Sequence, residues 1–126
     1  MNSFKNKIAV VTGGGTGMGR ELVRPLANQG CNVAMCDVIE ENMLETYNLV
    51  SKESPDITLS KHVCDVSDEE QVNKFRDEVL TAHKTQTINL LFNNAEIGGG
   101  GSFITSTREE WERCFAVCWY GVYYCS

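Results

Sequence analysis

The stretch "TGGGTGMGR", residues 12–20, constrains this chain more than any other. It follows an apolar run, "KIAVVTG" (7–13), and precedes a segment in which Leu22, Val23, Leu26 and Ala27 recur at helical spacing. A strand that runs into glycines and leaves as a helix gathers backbone N–H groups and the positive end of a helix dipole at one place. Glycines there allow a tight turn, a close backbone approach to a ligand, and close packing of helix on strand. A phosphate-bearing ligand is the chemistry such a turn suits.

The remainder of the chain repeats the alternation. Residues 31–38 (CNVAMCDV), 58–66 (TLSKHVCDV) and 88–95 (INLLFNNA) read as further strands. They are rich in Val, Ile, Leu and Ala with little polar alternation, as in parallel sheets covered on both faces. Helical patterns fill the gaps. The first, 18–29, is closed by Gly30; the second, 40–52, carries Met43, Leu44, Tyr47 and Val50. The third, 67–84, opens with Ser67-x-x-Glu70, a capping box, and sets Val72, Phe75, Val79 and Ala82 on one face. The last opens with Thr107-x-x-Glu110 and runs from Trp111 to the end. The order β-α-β-α-β-α-β-α predicts one parallel sheet with right-handed crossovers. Pro25 breaks a local rule: inside a helix it removes a hydrogen bond at a cost of about 3 kcal/mol, so a kink is expected there.

Composition narrows the classes. At 126 residues the chain is expected to form one domain. No apolar run approaches the roughly 20 residues of a membrane span. The net charge is −6 and the eleven Lys and Arg residues are scattered among acids, which argues against a nucleic-acid partner. The start, "MNSFKNKIAVV", has no long apolar stretch and no small-residue cleavage site. Six cysteines are therefore expected as reduced thiols in a cytoplasmic protein.

Asp37 ends the second strand 18 residues past Gly19. A carboxylate there accepts hydrogen bonds from an adenosine ribose and repels a 2′-phosphate, which favours NAD over NADP. A P-loop would need Lys-Ser/Thr after its second glycine, whereas Arg20-Glu21 follow Gly19. A methyltransferase, with a glycine loop and an acid ending strand two, stays open on these residues alone.

Four motifs together resemble the short-chain dehydrogenase/reductase family. "TGGGTGMG" matches its Thr-Gly-x-x-x-Gly-x-Gly loop. "CDV" (64–66) is similar to its adenine-contacting Asp-Val, "NNAEIG" (93–98) to its Asn-Asn-Ala-Gly, and "VCWYG" (117–121) to its Val-Asn-x-x-Gly helix. Four motifs in the expected order dispose of the methyltransferase. The resemblance implies a Rossmann-type doubly wound α/β fold, truncated to about four strands in order 3-2-1-4. Residues 1–126 would form a single NAD-binding domain, C-terminally incomplete relative to the family. It implies that Gly13, Gly15, Thr16, Gly17, Met18 and Gly19 border the cofactor's phosphates and ribose. Asp37 would bind the adenosine ribose, Asp65 and Val66 the adenine, and Asn94 with Ala95 the ribose–nicotinamide side. Asn93 is expected to brace strand four. The parent chemistry is hydride transfer between nicotinamide and an alcohol or carbonyl carbon.

Three departures qualify the resemblance. Glu96 replaces the motif's glycine. Its carboxylate either faces solvent or, at about 6 Å from a pyrophosphate, costs on the order of 2–3 kcal/mol. Cys118 stands where the family has the asparagine that bends its helix and holds a relay water, and a thiol is a weak substitute. The family's proton chemistry also needs a downstream Ser and a Tyr-x-x-x-Lys. Here Tyr47 meets Ser51, Tyr120 meets Tyr124, and the last lysine is Lys84. The expectation is a cofactor-binding half that is inactive alone, with no catalytic residue among the 126. A non-catalytic nucleotide-binding or dimerising module is the alternative, and a partner chain supplying the Tyr and Lys a third.

The remaining chemistry-bearing residues suggest no second centre. Cys114 and Cys118 share a helix face, and His62 and Cys64 a strand face, but neither pair amounts to a metal site. His83 is expected at a helix end or on the surface. Residues 98–101, four glycines, read as a mobile loop. Trp111, Phe115, Cys118 and Val122 form an apolar stripe broadened by Trp119, Tyr120, Tyr123 and Tyr124, so the last helix expects cover on several sides. In the family the corresponding helix packs against its counterpart in a partner subunit, which implies self-association through it.

Overall fold

The computed structural model describes residues 3–98 and 101–126. The expected loop at 98–101 therefore falls partly outside the described residues, at Gly99 and Gly100. The elements alternate as read: β1 (Ile8–Thr12), α1 (Gly17–Asn28), β2 (Asn32–Asp37), α2 (Glu40–Glu53), β3 (Leu59–Val63), α3 (Glu69–Ala82) and β4 (Leu90–Phe92). One helical rod follows, made of α4 (Arg108–Phe115), a π-helical turn (Ala116–Tyr120) and α5 (Gly121–Cys125). All four strands are parallel, in order β3-β2-β1-β4. The register sets Val10 against Ala34 on β2 and against Leu91 on β4.

Alternate residues of the central strands feed two cores. Ala9, Val11, Val33 and Met35 point to one face, where Val23, Leu26 and Ala27 of α1 and Met43 and Val50 of α2 cover them. Val10, Ala34 and Cys36 point to the other, under Val72, Phe75 and Val79 of α3 and Val117 of the helical rod. Burial on both sides is why these strands lack polar alternation. The edge strands depart from that: Val63 at the end of β3 is 55% exposed. β4 is three residues, shorter than the eight read as strand, because it pairs only with β1 and the chain then turns back onto Thr12.

Helix ends follow local chemistry with one correction. Gly30, at φ +80°, closes α1, its N–H reaching Ala27 O while Cys31 N reaches Leu26 O. The helix continues through Pro25, which is exposed, to Asn28; having no N–H, Pro25 gives the Glu21 carbonyl no helical bond. Thr107 and Glu110 form the expected reciprocal box. Ser67, by contrast, does not cap α3. Asp68 does, accepting from Glu70 N (3.0 Å) and Gln71 N (3.2 Å), because the Ser67 hydroxyl is committed to Asp65 Oδ1 at 2.6 Å. Ala82, read as part of the buried face of α3, is exposed.

His83 ends α3 as its C-cap, the helix-end position expected, and is half-buried there. Its Nε2 lies 2.9 Å from Ser60 Oγ, which lies 2.9 Å from His62 Nε2, and His62 Nδ1 is 2.9 Å from Glu78 Oε2. The carboxylate only accepts, so His62 Nδ1 donates to it; with His62 neutral, Ser60 donates to His62 Nε2 and His83 Nε2–H donates to Ser60. In that arrangement His83 Nδ1 is a bare, buried acceptor with no partner among the described residues. The chain of bonds ties β3 to α3.

The last helix turns a different face inward from the one the apolar stripe suggested. Val117 and Gly121 are buried, and Tyr124 and Cys125 pack on the core, whereas Phe115 is 54% and Trp119 68% exposed. Small residues make the contact because backbone and sheet approach closely there: a Cβ at Gly121 would lie 2.6 Å from Val66 Cγ2.

Candidate functional site

Glycine is required at the strand-to-helix turn. Gly13 has φ +69°, a left-handed conformation, and a Cβ on it would meet Ala95 Cα at 2.9 Å. At Gly19, in the first turn of α1, a Cβ would run into the Gly13 carbonyl. The amino end of α1 is thereby pressed against the end of β1. Thr16 makes no side-chain cap and the first turn holds no acid, so its N–H groups and dipole are left for an anion.

The loop is anchored from three directions. Gly15 N–H donates to Asp37 Oδ2 (3.0 Å), and Gly15 O accepts from Arg20 Nη2 (2.7 Å) and Thr46 Oγ1 (3.0 Å). Asp37 Oδ1 accepts from Val38 N at 2.8 Å. From the β4 side, Thr12 Oγ1 accepts from Asn94 N (3.0 Å) and Ala95 N (2.9 Å) and donates to Phe92 O (3.4 Å). Asn94 Nδ2 donates to the carbonyls of Thr12 (3.0 Å) and Gly13 (3.3 Å). The bracing expected of Asn93 thus falls to Asn94. The turn onto Thr12 aims the Asn94 carboxamide at the loop, while Asn93 is exposed and reaches Ser126 Oγ.

At the other end, Cys64 N donates to Asp37 O (3.1 Å), carrying the chain from β3 to Asp65. Asp65 Oδ1 accepts from Ser67 N (3.0 Å) and Oγ (2.6 Å), and Oδ2 accepts from Arg113 Nη2 (3.2 Å). Burial would raise the Asp65 carboxyl, but Ser67 and Arg113 outweigh it and hold it below the usual carboxylate range. On the floor, a hydrogen bond to Cys64, together with burial, pushes the Cys36 thiol well above its ordinary value; the same bond draws Cys64 below it.

These elements enclose a cleft of about 380 Å³ at the carboxyl ends of the strands. Gly13, Thr16, Gly17, Met18, Gly19, Asp37, Asp65, Val66, Asn94 and Ala95 line it. Gly15 alone of the expected residues does not; it is buried behind the loop, against Asp37. Glu96 is exposed and borders the rim. Sequence reasoning missed Cys36, Val38, Ile39, Asn42, Cys64, Ile97, Arg113 and Val117. Val38 and Ile39 follow directly from the position of Asp37, and Arg113 with Val117 shows the i, i+4 spacing of a single helix face. Cys118 is exposed; its thiol reaches the Ile97 carbonyl at 3.8 Å and also meets the Cys114 thiol. It sits within the π-helical turn, so that irregularity forms here without the family's asparagine.

A glycine turn opening a helix at the carboxyl edge of a doubly wound parallel sheet, with an acid at the tip of the second strand, defines a Rossmann-type nucleotide-binding unit. The sequence profile described as "short chain dehydrogenase" matches residues 7–126, and the chain belongs to that family. An uncharacterized oxidoreductase of Bacillus subtilis (strain 168), YxbG, is 35% identical across the whole of this chain, which spans 45% of that relative. A short-chain dehydrogenase/reductase from Burkholderia phymatum in complex with NAD superposes with a TM-score of 0.90 at 32% identity, over 99% of this chain and 43% of that one. A metagenomic short-chain oxidoreductase in complex with NADP superposes with a TM-score of 0.86 at 28% identity, over 98% and 55%. The chain thus spans about half the length of the relatives it matches.

Proposed function

We propose that residues 1–126 are one NAD-binding unit, the cofactor-holding part of an oxidoreductase that moves hydride between nicotinamide and an alcohol or carbonyl carbon. The observation that carries this is Asp37, held by Gly15 N–H at the tip of β2 beside the uncapped amino end of α1. When bound, the nicotinamide ring supplies the hydride acceptor or donor. The backbone N–H groups of Gly17, Met18 and Gly19 face the pyrophosphate, and Gly13, Gly15 and Thr16 shape the turn that presents them. Asp37 accepts from the adenosine ribose hydroxyls, Asp65 and Val66 border the adenine, and Asn94 with Ala95 border the nicotinamide ribose. The bare backbone at Gly13 and Gly19, where a Cβ has no room, fits so close an approach.

The preference for NAD over NADP rests on charge. Asp37 repels a 2′-phosphate, and the nearest loop cation, Arg20, is spent on the Gly15 carbonyl, Thr46 and Glu45. No Tyr in the 126 residues is followed by Lys four positions later, so this chain binds the dinucleotide without turning over an alcohol. Six free thiols suit a reducing, cytoplasmic setting. A second reading, a dimerising module, is favoured by the exposed Phe115, Trp119 and Tyr123 on the last helix.

Titrating NADH against Trp111 and Trp119 fluorescence, with an alcohol/ketone turnover assay and the sedimentation mass alongside, separates the readings. Saturable quenching without turnover is the expected result. Turnover by the purified chain would refute the inactive half, and absence of quenching would refute the cofactor assignment. A stable dimer that binds no dinucleotide would favour the second reading.

A further inference from the structure

We propose that Arg113 is a positioning residue for the base end of the cleft, holding Asp65 as an acceptor that selects adenine by its 6-amino group. This rests on the dinucleotide reading of the cleft. Arg113 on α4 and Asp65 beyond β3 are 48 residues apart, yet the guanidinium engages both Asp65 and its support. Nη2 donates to Asp65 Oδ2 (3.2 Å) and Nη1 to Ser67 Oγ (2.9 Å), and Ser67 Oγ donates on to Asp65 Oδ1 (2.6 Å). Guanidinium, hydroxyl and carboxylate close a ring that leaves the carboxylate one orientation.

Counting lone pairs shows what the ring leaves over. A carboxylate offers about four acceptor sites. Oδ1 has taken two donors, Ser67 N and Oγ, and Oδ2 has taken one, from Arg113. The acceptor that remains is on Oδ2, and Asp65 and Arg113 both line the cleft. An adenine amino group satisfies it. In hypoxanthine a carbonyl replaces that amino group, so two acceptors would face each other. The Arg113 side chain is 50% exposed, and ion pairs so open to water add little to stability, so the pair's value lies in orientation rather than in holding the fold. Val117, one turn later on the same face, is buried against the core and fixes the helix that presents Arg113.

The test compares reduced NAD with its hypoxanthine analogue by fluorescence titration of the 126-residue chain. The wild type is expected to favour the adenine form. Arg113→Met, which keeps the apolar stem, should lower that preference about 5-fold to 10-fold while the melting temperature stays near wild type. Ser67→Ala, breaking the ring from the other side, should shift the ratio in the same direction, and Arg113→Lys should retain part of it. An unchanged ratio, or equal weakening of both nucleotides, would overturn this inference alone. Failure of the wild type to bind either nucleotide would overturn the dinucleotide reading and this inference with it.

Discussion

Thr12 joins the strand end, the glycine turn and the loop after β4 through one hydroxyl. It accepts from Asn94 N and Ala95 N and donates to Phe92 O, which exhausts the capacity of the group. Thr12 is 2% exposed. Thr12→Val keeps the shape and β-branching but strands the Ala95 N–H, since Asn94 N–H keeps its bond to Phe92 O at 2.9 Å; a donor buried without a partner costs about 1–3 kcal/mol. Ala95 is only half-buried, so partial solvation keeps the loss at about 1–2 kcal/mol. That is a measurable fraction of the roughly 5–15 kcal/mol typical of a domain. Urea unfolding followed by circular dichroism should show the midpoint falling at unchanged slope, with Thr12→Ser recovering most of the loss. Because Asn94 also braces the carbonyls of Thr12 and Gly13, NADH affinity should weaken alongside. A Thr12→Val chain as stable as wild type, with equal NADH affinity, would refute the reasoning.

Two further outcomes follow from the same geometry. Asp37→Asn should shift the NADPH-to-NADH affinity ratio toward NADPH by about 10-fold or more, read by parallel titrations, because one negative charge near the 2′-phosphate is removed. His83 titrates below the ordinary histidine value, through burial and then its neighbour His62. Its neutral form is therefore the folded one, and the stability it contributes is present above the unfolded value and lost as pH falls through the folded value. The urea midpoint of the wild type should drop more between pH 7.5 and pH 5.5 than that of His83→Gln; equal drops would contradict the assignment.

The glycine turn, Asp37 and the strand–helix alternation were legible in the sequence because each is local: periodicity, a turn that tolerates only glycine, an acid at a strand end. What the sequence did not show depends on elements meeting from afar. Ser60, His62, Glu78 and His83 join only because α3 lies back along β3, and Arg113 meets Asp65 only because α4 brings it to the segment after β3. The choice of Asp68 over Ser67 as a cap turned on a competing bond to Asp65. The inward face of the last helix differs from its apolar stripe for a related reason. Aromatic size suggested burial, but Gly121 beside Val66 lets the small side of the helix approach the core and leaves Phe115 and Trp119 outside.

We propose an uncapped helix end and Asp37 as what makes this cleft a seat for NAD. Calorimetric titration of the 126-residue chain with NADH tests it most directly, with Gly19→Ala, which drives a methyl group into the Gly13 carbonyl, as the paired variant. A saturable heat of one NADH per chain is expected, weaker for NADPH and lost in Gly19→Ala. No heat from the wild type, or the same heat from a folded Gly19→Ala chain, would contradict it.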